Sequence, residues 1–250
     1  MATPDLQRLL SGPRSDLGSP LAELLDHLPA PYAEALADIA RLAELECGAK
    51  LVEAGSRPEA LGYLLDGALG MQRALPDGRI HIIGLLVPHD MYGRLFDGPS
   101  AFDIVALTDA RVLTFRRDAF EDILRAAPEV ERLFLVSVLD ELDSAREWVL
   151  LMGGHKIVER VASFLLILLR RTLRSRQGRA PGALLSVRIP IRRSDLARYL
   201  GTTPETLSRS LHELEHDGAI RLRDAYDVEL IDLPALVRIS GADHLCGDGA

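Results

Sequence analysis

Apolar positions change their rhythm twice along this chain. Between Cys47 and Arg117 they come in short runs punctuated by glycine: Leu61-Gly62-Tyr63-Leu64-Leu65-Asp66-Gly67, Ile80 to Val87, Ile104 to Leu107 and Arg111 to Phe115. Runs this short and closely spaced, with no helix between them, predict an antiparallel barrel or roll. Pro76-Asp77-Gly78, between two of the runs, predicts a hairpin turn. From Pro128 to about Met152 the spacing turns helical, and Leu135, Val138, Leu142, Ala145, Val149 and Met152 follow the 3-4-3-4 seam of a coiled coil. Such a seam serves either a dimer or packing on the chain's own roll. Gly153-Gly154 then breaks the helix at a predicted hinge, and Ile157 to Arg171 reads as an apolar packing helix. Upstream, residues 1 to 18 are rich in Gly, Pro and Ser and predict a loose tail. Pro20 to Leu45 reads as helical, interrupted near Pro29 and Pro31.

The segment from Arg192 to Ile231 is the most informative. Ser194 to Leu200 predicts a short amphipathic helix with Leu196, Ala197 and Leu200 on one face. Gly201 ends it, because glycine accepts the left-handed conformation a helix C-terminus needs. Thr203 and Pro204 start a second helix as N-cap and first helical residue. Its apolar face is Leu207, Leu211 and Leu214, which leaves Glu205, Ser208, Arg209 and His212 outward. Two helices joined by so short a turn make a helix-turn-helix, whose second helix fits a DNA major groove. After Asp217-Gly218, Ile220 to Arg223 and Val228 to Ile231 alternate like a two-stranded wing. The alternative is an ordinary helical hairpin with a solvated polar face.

Charge bears on that choice. The net charge of −8 argues against a nucleic-acid partner, but it is unevenly spread. Arg170 to Arg223 holds 12 basic against 5 acidic residues, whereas Met1 to Leu169 sums to −10 and the remainder from Asp224 to −5. A basic block in an acidic chain is a footprint for phosphate. Two-fold symmetry gives helix-turn-helix proteins their affinity and half-site geometry, so the seam is assigned to a homodimer.

Composition narrows the class further. A chain of 250 residues with 48% hydrophobic content buries one large core or two modest ones. Cys47 and Cys246 are far apart and form no CxxC pair, which fits reduced thiols and a cytoplasmic location. MATPDLQRLLSGPRSD does not read as a secretory signal, and Val161 to Leu169 is too short to span a bilayer. No G-x-S-x-G, Walker loop or H-E-x-x-H is present, so an enzyme is not expected.

A roll, a long helix and a winged helix-turn-helix in that order resemble the CRP/FNR family of transcription regulators. Glu44 to Gly55 is similar to the family's first roll strands, Tyr63 to Gly93 to its central strands and Ile157 to Arg171 to the helix opening its DNA domain. Glu205-Thr206-Leu207-Ser208-Arg209 resembles the E-x-x-S-R recognition pattern of the FNR and FixK branch. The resemblance implies an α+β chain: an antiparallel β-roll (cupin-like, cyclic-nucleotide-binding-like), a long dimerisation helix and a C-terminal winged helix-turn-helix. The expected boundaries are a tail over 1–18, the roll over 19–118, the dimerisation region over 119–152, the DNA-binding domain over 153–234 and a tail over 235–250. It also implies a transcriptional activator that binds double-stranded DNA and RNA polymerase, and a TTGA-type inverted repeat as target.

Glu205, Ser208 and Arg209 are the expected base readers, since arginine pairs with guanine and glutamate accepts from cytosine or adenine amines. Arg192, Arg193, Thr202, Thr203, Arg221 and Arg223 are the expected phosphate contacts. No cofactor is expected. Two cysteines cannot supply the four thiolates of an iron–sulfur cluster. Gly93-Arg94-Leu95 puts arginine where cyclic-nucleotide members carry glutamate, and FDGPSAFD lacks their phosphate-binding arginine. Haem on Cys47, His81 or His89 is disfavoured, because lone residues of these types are usually packing or surface groups. The FixK-like branch, lacking a known cluster, fits best; a ligand- or haem-gated roll is the alternative, and Cys47 is a candidate redox thiol.

Overall fold

The computed structural model describes Asp26 and residues 29–75, 78, 80–96, 98–152, 156–175 and 185–241. It divides into two compact units, Met1–Asp143 and Ser144–Ala250. The expected N-terminal tail, Pro76-Asp77, the Gly153-Gly154 hinge and Cys246 lie outside the described residues.

The first unit is a roll of two antiparallel sheets. Helix α1 (Ala30–Ile39) leads directly into β1 (Ala40–Leu45), so the helical reading of Pro20 to Leu45 is corrected from Ala40 onward. Strands β2 (Lys50–Val52), β3 (Ala60–Asp66), β4 (Leu69–Ala74), β5 (Ile80–Leu86), β6 (Met91–Tyr92), β7 (Asp103–Ala106) and β8 (Ala110–Arg116) follow. One sheet runs β1-β8-β3-β6 and the other β2-β7-β4-β5. Strands β4 and β5 pair antiparallel across the expected hairpin.

The glycine-punctuated runs read as strands because β3 and β8 are covered on both faces. Leu61, Tyr63 and Leu65 pack with Leu113 and Phe115 against the helices, while Leu64 and Val112 join Val52, Leu69, Leu86 and Ile104 in a second cluster. A strand buried on both sides becomes a continuous apolar run rather than an alternating one. Helix α2 (Arg117–Ala126) closes the first cluster through Phe120, Ile123 and Leu124. Helix α2 thus packs on the roll, so the dimerisation region expected from 119 starts with a helix of the roll, and the long helix α3 (Pro128–Met152) follows it. Aromatic edges continue from Phe115 to Phe120 (5.5 Å between centroids) and from Phe120 to Phe134 of α3 (5.9 Å).

The second unit holds α4 (Ile157–Ser175), β9 (Leu185–Arg188), α5 (Arg193–Tyr199), α6 (Pro204–His216), β10 (Ile220–Leu222), β11 (Asp227–Leu230) and α7 (Leu233–Ser240). Val161, Leu165, Leu196, Leu200, Leu207, Leu211, Val228 and Leu236 are fully or almost fully buried. The expected tail over 235–250 is corrected, since its first residues complete a helix. Asp232 caps that helix by accepting the Ala235 amide (2.9 Å), Leu236 is buried, and the Ser163 hydroxyl of α4 reaches the Ser240 carbonyl at 3.5 Å. The wing is three-stranded, with β11 between β10 and β9.

Among the described residues no helix is long and apolar enough to cross a membrane.

Gly62 tests the tightness of the roll. A Cβ there would lie 1.9 Å from the Leu113 carbonyl oxygen and 2.8 Å from the Tyr92 hydroxyl. Gly62→Ala must therefore pry β3 from β8 and is expected to cost about 3 kcal/mol, the upper end for overpacking. Urea unfolding of the variant checks this, and a midpoint equal to the native one contradicts it.

Candidate nucleic-acid interface

The turn between α5 and α6 has the geometry its residues call for. Leu200 ends α5, Gly201 takes φ +66°, and the Thr202 amide donates back to the Ala197 carbonyl at 2.9 Å. The Leu200 carbonyl, left open by the helix end, accepts Arg160 Nη1 from α4 at 3.1 Å. Thr203 is the α6 N-cap: its hydroxyl oxygen accepts the Thr206 amide at 3.3 Å, with Pro204 beginning the helix.

Leu207, Leu211 and Leu214 are buried to 1% exposure or less, with Ser210 beside them. That orientation leaves Glu205, Ser208, Arg209 and His212 exposed together on the other face of α6. Arg209 Nη2 donates to Thr206 Oγ1 at 3.2 Å, a weak tether that leaves most of the guanidinium to solvent. The Glu205 carboxyl is held below the ordinary carboxylate range, first by its own amide, then by the Thr203 hydroxyl and the nearby Arg209 charge. It is therefore an acceptor only, suited to an amine on a base edge and not to a carbonyl.

The expected phosphate residues fall into three settings. Arg192 is exposed at the α5 N-cap, and Arg193 behind it is half-buried. Arg193 Nη1 is buried without a hydrogen bond, and desolvation holds its guanidinium below the usual arginine range although Asp224 and Tyr226 oppose the shift. Thr202 is partly covered, and the Thr203 hydroxyl is committed to the cap. Arg221 and Arg223 flank Glu229 on the wing, at 3.6 and 2.5 Å.

Three wing residues escaped the sequence reading. Glu215, on the last turn of α6, accepts the Leu222 amide of β10 at 2.8 Å and so ties the recognition helix to the wing. That bond is the main reason its carboxyl lies below the ordinary range. Arg188 of β9 sits opposite Asp227 in register, pairs with it at 2.8 Å and lies 5.6 Å from the centroid of the Tyr226 ring. Glu229 is the third. Arg188 and Glu229 depend on strand register and Glu215 on how α6 meets β10, and no spacing in the sequence reveals either.

On α3, Leu135, Val138 and Leu142 of the expected seam are exposed, as is Ala145. The side chains of Val149 and Met152 lie outside the described residues. Val136 and Leu139 are exposed as well, and Leu139, four residues from Leu135, is the most open at 58%. Its place on that stripe was readable from helical spacing. Cys47 is exposed; its thiol donates to the Leu107 carbonyl (3.2 Å), and its amide to Asp109 Oδ1 (2.9 Å). Among the described residues no group of three or more His, Cys, Asp or Glu is placed to hold a metal.

Known proteins share both units. Residues 159–239 match the Crp-like helix-turn-helix domain, and residues 42–127 match the cyclic nucleotide-binding domain. The transcriptional activator protein FnrL of Cereibacter sphaeroides is 34% identical over 200 residues, covering 79% of this chain and 79% of that protein. The nitrogen fixation regulation protein FixK of Bradyrhizobium diazoefficiens is 34% identical over 159 residues, or 64% of this chain and 65% of that one. The solved structure of FixK2 from Bradyrhizobium japonicum superposes with a TM-score of 0.70 at 28% identity, covering 80% of this chain and 97% of that one.

Three carboxylates in this unit, Glu205, Glu215 and Asp224, are all held low by hydrogen bonds in the folded state. Groups with depressed folded values stabilise the fold above their unfolded range and lose that contribution as pH falls through the folded values. Stability is therefore expected to hold at neutral pH and to decline once pH drops below the ordinary carboxylate range. Glu215→Gln should lower stability at neutral pH and flatten this acid decline. Urea titrations of both proteins between about pH 6 and pH 3 check it, and parallel curves count against the tether.

Proposed function

The chain belongs to the CRP/FNR family of transcription regulators, and from that premise we propose that it is a homodimeric, sequence-specific DNA-binding activator. It acts in the cytoplasm, with RNA polymerase as its protein partner, on a TTGA-type inverted repeat. The observation that carries this reading is the single exposed face of α6, where Glu205, Ser208 and Arg209 stand together opposite a fully buried leucine face. Arg209 offers a bidentate pair to guanine, Glu205 accepts from cytosine or adenine, and Ser208 adapts to either. Arg192, Arg193, Thr202, Thr203, Arg221 and Arg223 hold phosphates and fix the register. The names of FnrL and another relative, the probable transcriptional activator of Rhizobium leguminosarum (30% identical over 201 residues), support activation.

The exposed stripe Leu135, Val138, Leu139 and Leu142 supports dimerisation through α3. Two recognition helices then face half-sites about one helical turn apart.

The roll matches a domain described as binding cyclic nucleotides, but its residues do not fit that ligand. Arg94 takes the place of a ribose-binding acid, and its guanidinium folds against the following loop, 3.0 Å from where a Cβ on Gly98 would stand. The loop through Asp103 brings no other arginine, and the second cluster of the roll is apolar. The cyclic phosphate, with its single negative charge, would enter without a bidentate donor.

Arg209→Ala is expected to cost about 1–3 kcal/mol on the target and to relax preference at one base pair. Footprinting across single-base target variants reads this, and an unchanged preference would sink the base-reading assignment. Leu139→Glu places a charge in the stripe and is expected to give monomers that bind a half-site weakly. Sedimentation of the variant checks it, and a persistent dimer moves the interface elsewhere.

A further inference from the structure

We propose that Glu229 is a positioning residue for DNA binding: a buried carboxylate that holds the wing arginines Arg221 and Arg223 ready for the phosphates of one duplex register. The proposal rests on the DNA-binding reading above. Glu229 lies on β11, the central wing strand, directly opposite Arg221 of β10. Its neighbours Val228 and Leu230 are buried in the domain core, so Glu229 projects from the other face. Its side chain is 10% exposed, whereas those of Arg221 and Arg223 are 57% and 53% exposed. The carboxylate thus lies beneath two guanidinium groups that reach solvent.

Each oxygen serves a different arginine. Oε1 binds Arg223 Nη2 at 2.5 Å, and Oε2 lies 3.6 Å from Arg221 Nη1, near enough for ionic attraction but without a hydrogen bond. Glu215 of α6 lies within electrostatic range of Arg221 as well, while its own oxygens meet the Leu222 amide and the His212 ring. Strand propensity alone would place a β-branched or aromatic residue at this position, and an unpaired buried carboxylate is costly. The geometry accounts for the exception through what it does to its neighbours.

Arginine side chains lose rotamer freedom when they seize a phosphate, and that loss weakens binding. Glu229 imposes much of it in the free protein. It also cancels part of the wing's positive charge, which reduces attraction to any duplex regardless of sequence. Both effects favour a duplex whose phosphates meet the held arginines over one that meets them by chance.

Two variants test this on the full-length protein, with a duplex carrying the TTGA inverted repeat and a scrambled duplex titrated over a salt series. Glu229→Gln preserves shape but removes the charge. It is expected to bind the scrambled duplex more tightly, to steepen the salt slope by about one unit, and to lower the target-to-scrambled ratio about three- to tenfold. Glu229→Asp keeps the charge but withdraws the oxygens by one methylene, so the slope should hold while the ratio falls. A merely structural role would shift the melting temperature and leave slope and ratio alone, and that result overturns the proposal. If Glu229→Gln does not fold, an unchanged ratio in Glu229→Asp overturns it. Failure of the native protein to prefer the repeat is a separate outcome, which removes the target assignment itself.

Discussion

A helix can present side chains to a DNA groove only if the rest of its circumference is held in place. In this chain that constraint is met by Leu207, Leu211 and Leu214, which sink into the core of the C-terminal unit at almost no exposure. Each buried leucine contributes roughly 2–3 kcal/mol through area removed from water. Together they fix the rotation of α6 about its axis. With rotation fixed, the Thr203 cap fixes where the helix begins, and Glu205, Ser208 and Arg209 acquire defined positions. Losing the buried face would remove the outer one even with every outward residue intact.

The wing extends the same logic with polar groups. Glu215 carries the position of α6 to β10 through one backbone amide, and β10 carries Arg221. Asp224 organises the turn at the wing tip by accepting the amides of Tyr226 and Asp227 at 2.6 and 2.8 Å. Arg188 then pairs with Asp227 across the strands. Most of these pairs are exposed, and as surface ion pairs each adds little stability. Their value lies in geometry: residues far apart in sequence are held at set distances on one surface.

How much was legible in the sequence follows from which interactions are local. The helix-turn-helix was readable because its signals are local: Gly201, Thr203-Pro204 and leucines at helical spacing act within a few residues of one another. The strands β3 and β8 were readable because burial on both faces writes a continuous apolar run. Ala40 to Leu45 reads as helical because ARLAEL has good helix formers and no turn; its pairing with β8, some seventy residues later, overrides that preference. Strand β9 has no local signal for a related reason, since its partner β11 lies well beyond α6. The ion pairs of Glu229 at the wing have no local signature, because Glu229 faces Arg221 only once the register is set. Arg193 was legible as basic but not as half-buried.

Charge shows the same difference between sum and placement. The basic block was bounded at Arg223, yet the wing continues to Asp232 and brings acids with it. From Leu185 to Asp232 there are seven arginines and nine acidic residues, so the folded reading module is slightly negative rather than strongly basic. Arg188, Arg198, Arg221 and Arg223 each have a carboxylate within 3.6 Å. A surface of this kind cannot rely on counterion release alone, the term that makes binding tight but indifferent to sequence. On the proposed reading, affinity comes instead from donors that the fold sets against specific oxygens and base edges, beginning with Arg209 on the face that the buried leucines hold outward.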